Sequence, residues 1–318
     1  MPATTGQWQS FLNETAKVLQ GAFKDLLTEA KYPQFMKVMS TKKWTEREQA
    51  IDNMQSLDRL PEDGVFPEML PNEGWAKAYT QQGWGGRVSI TIPMREFQTM
   101  DLIAVLIRQL KQAPNKTREI IGATYLEYGD TAISGVPVVG GAPLVDTIGG
   151  DGLTIFNTAH TFRQDPGGNT WSNLASSYVD LTEAGVIAVF DDVMGWKDNT
   201  NAPFNIKPID IIYNTNKTAQ YLKVRKSLLS PDNAGNAVNV SNMLMAGGGV
   251  WNPWLTSQSD WYATTDADPE TYGLKFWMGI MDRTYKGYDS NTQAYFISLC
   301  WWGAHGANEL RTIYATKQ

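Results

Sequence analysis

The chain has 318 residues, enough for one large domain or two modest ones at roughly 100 to 200 residues each. Charged residues make up 19% and hydrophobic ones 42%, so the surface carries less charge than the roughly 25% of an average soluble domain. A net charge of −6 lacks the basic excess that phosphate neutralisation requires and speaks against a dedicated nucleic-acid reader. The 12 tryptophans run from Trp8 to Trp302, which suits either a large core or broad contact surfaces. Cys300 is the single cysteine, so no internal disulfide can form, and its apolar run Tyr295 to Trp302 predicts a buried, inert thiol. No basic residue precedes Lys17 as a secretory signal would need, and the best apolar stretch, Ala184 to Phe190, is far short of a membrane span. A soluble protein made in a reducing compartment is expected.

Trp8, Phe11, Leu12, Leu19, Phe23, Leu26 and Leu27 recur at three- and four-residue steps and predict a helix from about Gln7 to Ala30. It can dock on its own body or on a neighbour. From Trp44 to Leu60 the pattern is mixed: Trp44, Ile51, Met54 and Leu57 keep partial helical spacing, and Thr45 with Glu48 has the form of a capping box. The stretch from Pro61 to Gly74 holds three prolines and two glycines in 14 residues, which no regular element survives. Val88, Ile90 and Ile92 then alternate with polar residues as in a half-buried strand. Residues 44 to 92 thus read as two extended arms with an irregular tip. Such a hairpin is unstable alone in water and must lie on something else.

Leu102, Ile103, Leu106, Ile107 and Leu110 define a strong helical stripe that resumes with Ile120, Ile121 and Tyr128. Pro114 predicts a kink or a break in this rod of about 34 residues and about 50 Å, at about 1.5 Å per residue, and Gly129 is placed to end it. Residues 129 to 152 hold seven glycines and two prolines and read as a loop; Gly140-Gly141-Ala142-Pro143 lacks the Lys-Ser/Thr of a phosphate cradle. A second amphipathic helix is predicted from about Thr182 to Trp196 with Val186, Ile187, Phe190, Val193 and Met194 buried. Pro208 to Tyr213 reads as a buried strand and Thr215 to Leu229 as a helix. The last third is strand-rich, at Val250 to Leu255, Trp261 to Thr264, Leu274 to Met281 and Ala294 to Trp302.

Two histidines, His160 and His305, without HExxH or CxxC spacing cannot complete a zinc site. His160 has the residue types of a general base near Asp165, but a hydrogen-bonded structural histidine is the plainer reading. Asp191-Asp192, or Asp266, Asp268 and Glu270, with Trp251, Trp254 and Trp261, leave open a carboxylate-dependent glycoside hydrolase or a Trp-rich carbohydrate-binding protein. Arg225 with Lys226, and Lys42 with Lys43, fit ion pairs.

The order of these features resembles tailed-phage major capsid proteins of the Hong Kong 97 fold, and especially their Mu-like branch. The resemblance runs over about residues 35 to 318 and is carried by Leu153-Thr-Ile-Phe156-Asn-Thr-Ala-His160, Asn169 and Leu174, then Pro208 to Tyr213 with Ala219, Leu222 and Ser230-Pro231, then Asn239, Asn242, Trp254-Leu255, Trp261-Tyr262, Trp302-Gly-Ala-His-Gly306 and Arg311. Asn214, where relatives often carry proline, and Pro114 depart from it. The resemblance implies an α+β fold with an N-terminal arm (1–40), an extended E-loop (41–93), a peripheral domain with a long spine helix and Gly-rich loop (94–179), an α/β axial domain (180–288), and C-terminal strands returning to the peripheral domain (289–318). It implies a structural, non-enzymatic protein without cofactor or metal. Its hexamers and pentamers would tile an icosahedral shell around double-stranded DNA, assembled in the host cytoplasm, with portal, scaffolding and decoration proteins as further partners and no membrane. Inter-subunit contacts would involve Trp8, Phe11, Glu46, Arg47, Arg59, Phe66, Trp75, Lys77, Trp84, Arg87 and Arg95. An uncleaved N-terminus is expected, and so is a shell without isopeptide crosslinks, since Lys42, Lys43 and Lys77 are the lysines near the E-loop and none is at its tip.

Overall fold

A computed structural model describes residues 30–52, 72–97, 100–132, 134–137, 144–163, 168–227, 238–245 and 247–318. The expected N-terminal helix and the Pro-rich hairpin tip lie outside them. In chain order the elements are β1 (Met36–Ser40), β2 (Thr45–Asp52), β3 (Asn72–Thr80), β4 (Gln82–Ile90), α1 (Ile92–Phe97), α2 (Met100–Tyr128), β5 (Ser134–Pro137), β6 (Leu144–Asp146), β7 (His160–Thr161), β8 (Thr170–Trp171) and α3 (Glu183–Met194). There follow β9 (Pro208–Tyr213), α4 (Thr218–Lys226), α5 (Val240–Leu244), β10 (Val250–Trp251), β11 (Trp261–Thr265), α6 (Pro269–Tyr272), β12 (Leu274–Asp289), β13 (Ala294–Gly306) and β14 (Ile313–Thr316).

The first sheet has the order β1-β12-β13-β4, with β1 parallel to β12 and the other pairs antiparallel. Register sets Ile297 opposite Val88 and Tyr295 opposite Ile90, so these side chains share one face. Ile103, Ile107 and Leu110 of α2 cover that face and form a buried cluster with Ile90, Ile297 and Leu299. The far half of α2 enters a larger core, where Ile121, Tyr125 and Leu126 meet Tyr32, Phe156, Ile212 and Tyr262. One helix therefore ties both sheets together. It runs through Pro114 for 29 residues, about 43 Å at about 1.5 Å per residue, so the expected break is absent. A short helix, α1, precedes it, and Ile92 begins that helix rather than ending a strand. Gly129 closes α2 for a reason other than left-handed backbone: a Cβ there would lie 2.5 Å from Tyr125 O and from Phe156 Cδ2.

The second sheet has the order β10-β9-β11-β14 and is covered on both faces. Ile212, Val250, Tyr262 and Ala315 face the α2 core, while Ile211, Tyr213, Trp261 and Ala263 face Val186, Val189 and Val193 of α3 and Tyr221 and Val224 of α4. Thr182 caps α3 by accepting Gly185 N at 3.1 Å, and the apolar spacing after it selects the helix. Met194, expected inside, is 44% exposed, and Val189 takes the buried position. The helix expected at Thr215 opens as a 3-10 turn, Thr215–Lys217, before α4. The C-terminal stretch divides: β13 belongs to the first sheet and β14 to the second, paired with β11.

The hairpin of β2 and β3 is a separate ribbon whose ladder closes at Thr45 opposite Thr80. Thus its returning arm ends at Thr80, not at Ile92, and β4 leaves for the first sheet.

Candidate assembly interface

The described part of the hairpin is fastened to the body by single polar contacts along both strands. On β2, Glu48 accepts from Lys275 Nζ. On β3, Lys77 Nζ pairs with Asp146 at 3.2 Å and donates to Ile148 O, Trp75 Nε1 donates to Thr161 O at 2.9 Å, and Arg163 reaches Glu73 at 3.1 Å. Asn308 Nδ2 donates to Trp75 O at 2.7 Å. Tyr79 adds an apolar anchor, its ring tilted against that of Trp277 at 4.5 Å. Burial pulls Lys275 down to about 8 against its ordinary 10.5, while the Glu48 carboxylate at contact favours the charged form. Burial also lowers Lys77, and Asp146 opposes that shift.

The first sheet keeps one face away from α2. Alternation along β13 puts Phe296, Ser298, Cys300 and Trp302 on it. Trp44, 62% exposed, lies 5.7 Å from Trp302, and the Arg87 guanidinium sits 4.0 Å over Phe296 while pairing with Asp289 at 3.7 Å. Met281 and Tyr285 are exposed nearby on β12. Cys300 is half-buried, not enclosed as its apolar run suggested. Among the described residues, this aromatic face and the hairpin are two surfaces that the chain's own core leaves uncovered.

The residues expected at inter-subunit contacts scatter. Trp8, Phe11, Arg59 and Phe66 lie outside the described residues, as does the side chain of Arg95. Trp75 and Lys77 bind their own body, Glu46 accepts from Thr41 Oγ1 and from Lys43 Nζ at 3.3 Å, and Trp84 stacks 4.1 Å from Trp301. Arg47 and Arg87 are exposed. Trp44, Met281 and Tyr285 were not anticipated; the strand was expected to stop at Met281, whereas β12 continues to Asp289.

Several of the residues with chemical potential make structural hydrogen bonds. Asp192 accepts from Tyr314 Oη at 2.7 Å, Asp266 from Lys207 N at 2.8 Å, and Asp268 caps α6. Trp261 is buried and donates to Val179 O. Arg225, expected in an ion pair, donates to the carbonyls of Ser241 and Gly247 at 2.9 and 3.0 Å. His305 bonds Tyr125 Oη through Nδ1 at 2.8 Å, and burial pulls it down to about 4. His160 meets Asp151 at 2.7 Å. Among the described residues no group of three or more His, Cys, Asp or Glu side chains could hold a metal ion, and no helix is long and apolar enough to cross a membrane.

The fold as a whole is similar to that of chains in solved particles. The chain matches a capsid chain of the empty GTA particle over 90% of its length and 88% of that chain, with TM-score 0.54 and 12% identity. This is a phage capsid-like fold. Its likeness extends to Microbacterium phage Oxtober96 (TM-score 0.55, 7% identity, 91% and 90% covered) and to the virus-like particle from Pyrococcus furiosus (0.52, 9%, 94% and 98%). No protein-family pattern and no curated protein matches the sequence. At identities of 7 to 12% the likeness is one of fold alone.

Proposed function

We propose that the chain is a major capsid protein of the Hong Kong 97 type, of the Mu-like branch, whose hexamers and pentamers close an icosahedral shell around a double-stranded DNA phage genome. In this reading β2–β3 with residues 53–71 is the E-loop, α2 the spine of the peripheral domain, and the second sheet with α3 and α4 the axial domain, while residues 1–40 form the N-terminal arm. The observation that carries it is the end-to-end fold likeness to capsid chains, covering about nine-tenths of both partners. The uncovered surfaces agree: a two-stranded ribbon with little core of its own is stabilised by lying on a neighbour, and modest contacts repeated around a closed ring act multivalently. A net charge of −6 suits a container that holds DNA without binding it tightly. The role is structural rather than enzymatic, in the virion, with portal, scaffolding and decoration proteins as partners. Lys77 is engaged with Asp146, and Lys43 with Glu46, which supports a shell without covalent crosslinks.

Negative-stain electron microscopy of the purified full chain tests this, with closed shells or capsomers expected. A strictly monomeric protein across salt and concentration, with affinity for a glycan, would overturn it. Boiled denaturing gels of shells should give the monomer band, and a ladder above it would refute the uncrosslinked reading.

A further inference from the structure

Helix α2 carries a charge pattern that its packing does not use. From Leu102 to Arg118 the sequence holds four cations, Arg108, Lys111, Lys116 and Arg118, and no acid, in a chain where 33 acids outnumber 27 bases. Arg118 is buried and pairs with Asp282 of β12. Ile103, Ile107 and Leu110 define the covered side of the helix. On the opposite side Arg108, Gln112 and Lys116, all exposed, form an i, i+4, i+8 row that spans about 12 Å at about 1.5 Å per residue. Lys111, half-buried, flanks this row.

The chain itself does not offset these charges. Among the described residues no carboxylate forms an ion pair with Arg108, Lys111 or Lys116, and the Lys116 ammonium lies 5.8 Å over the Trp254 ring. Arg108 and Lys111, three residues apart, repel each other at a cost to the helix. Nor does the helix dipole account for the row. Lys223 and Lys226 stand in the last turn of α4, where cations complement the carbonyl end, whereas the row lies in the middle of the 29-residue α2, far from both ends. An uncompensated positive strip of this kind is stabilised by an external polyanion.

The row also has a direction. α2 covers one face of the first sheet and the aromatic residues occupy the other, so cations and aromatics look to opposite sides of the body. A polyanion on the row leaves the hairpin and the aromatic face free for neighbouring subunits.

We propose that the exposed row of α2, Arg108, Gln112 and Lys116 with Lys111 beside it, is a contact surface for the phosphate backbone of duplex DNA, weak and independent of sequence. The choice of duplex DNA among polyanions rests on the shell reading. Three cationic contacts are few, in keeping with a chain that is acidic overall.

Fluorescence anisotropy of the full-length protein with a labelled duplex of about 30 base pairs, at about 25 to 200 mM salt, tests it. Wild type should bind at the low end, equally for unrelated sequences, and weaken as salt rises. Arg108→Gln with Lys111→Gln and Lys116→Gln should lower the slope of log affinity against log salt by about 3 and weaken binding at about 50 mM salt roughly tenfold or more. Lys42→Gln with Lys43→Gln and Lys286→Gln changes the net charge equally at other exposed positions and should leave the slope within about 1 of wild type. Matching circular dichroism and urea midpoints establish that both variants are folded. No binding by wild type at about 25 mM salt, or an equal loss in the two variants, would overturn the proposal. Tighter binding to poly-glutamate than to the duplex would overturn it too, naming an acidic protein instead. Electron microscopy of the same protein separates this outcome from the shell reading: shells built from a chain that does not bind DNA would remove only the contact surface, and a monomer that binds DNA through the row would remove only the shell.

Discussion

The second sheet and the β2–β3 hairpin are both β-structure, yet they are stabilised in opposite ways. Trp261, Tyr262 and Ala263 of β11 are wholly buried because both faces of their sheet are covered. Of the described hydrophobic residues on the hairpin, Ala50 and Tyr79 are buried, and the remaining attachment is polar and local. A covered sheet carries its own core, whereas a two-stranded ribbon needs a surface to lie on. The difference teaches that the body is held by its own core, whereas the described part of the ribbon depends on a few contacts with the body.

The largest effect should come from breaking the body. Arg311 is 1% exposed, with its guanidinium 4.3 Å from Trp171 and from Phe204 and 5.2 and 5.4 Å from Phe162 and Tyr272. Arg311→Ala empties this aromatic cage and strands Glu309, and should cost about 4 kcal/mol in urea unfolding. A loss under about 1 kcal/mol would show that the cage is incidental. Next is His305, packed among Trp84, Tyr125 and Phe276 of the body. Its folded value near 4 lies below the ordinary 6.5, so the unfolded chain binds the extra proton. Its contribution is therefore full above about 6.5 and lost as pH falls towards about 4. Wild type should lose roughly 3 kcal/mol more than His305→Asn between pH 7 and pH 4, and parallel pH curves for the two would refute this.

What could be read from sequence divides along the same line. Helix α3 and strand β9 were legible because Thr182 caps a 3.6-residue stripe and Pro208 opens a continuous apolar run. Strand β2 was ambiguous because Glu48 can close a capping box with Thr45 or reach Lys275, and only the distant partner decides. The surroundings of His160 illustrate the limit. Asp151 and Asn173 are close to it in sequence, but the Asn173 amide is oriented by Leu310 O, 137 residues from Asn173. Trp84 stacks on Trp301 because antiparallel register sets the two opposite each other, a pairing that no local pattern announces.

Smaller effects sharpen the contrast. Thr182→Ala removes the α3 cap and should cost about 1 kcal/mol of global stability, measurable as a shifted urea midpoint. The smallest global effect is expected from the double replacement Lys275→Met with Glu48→Leu. Lys275 and Glu48 are 2% and 14% exposed at the side chain, so their attraction is largely offset by the water both have lost. Apolar groups of similar size should leave global stability within about 1 kcal/mol of wild type. The orientation of the ribbon, however, depends on that directional pair, so hydrogen-exchange protection of residues 45–52 should fall while that of the second sheet does not. If both fell together, the ribbon and the body would unfold as one unit, and the division drawn between them would not hold.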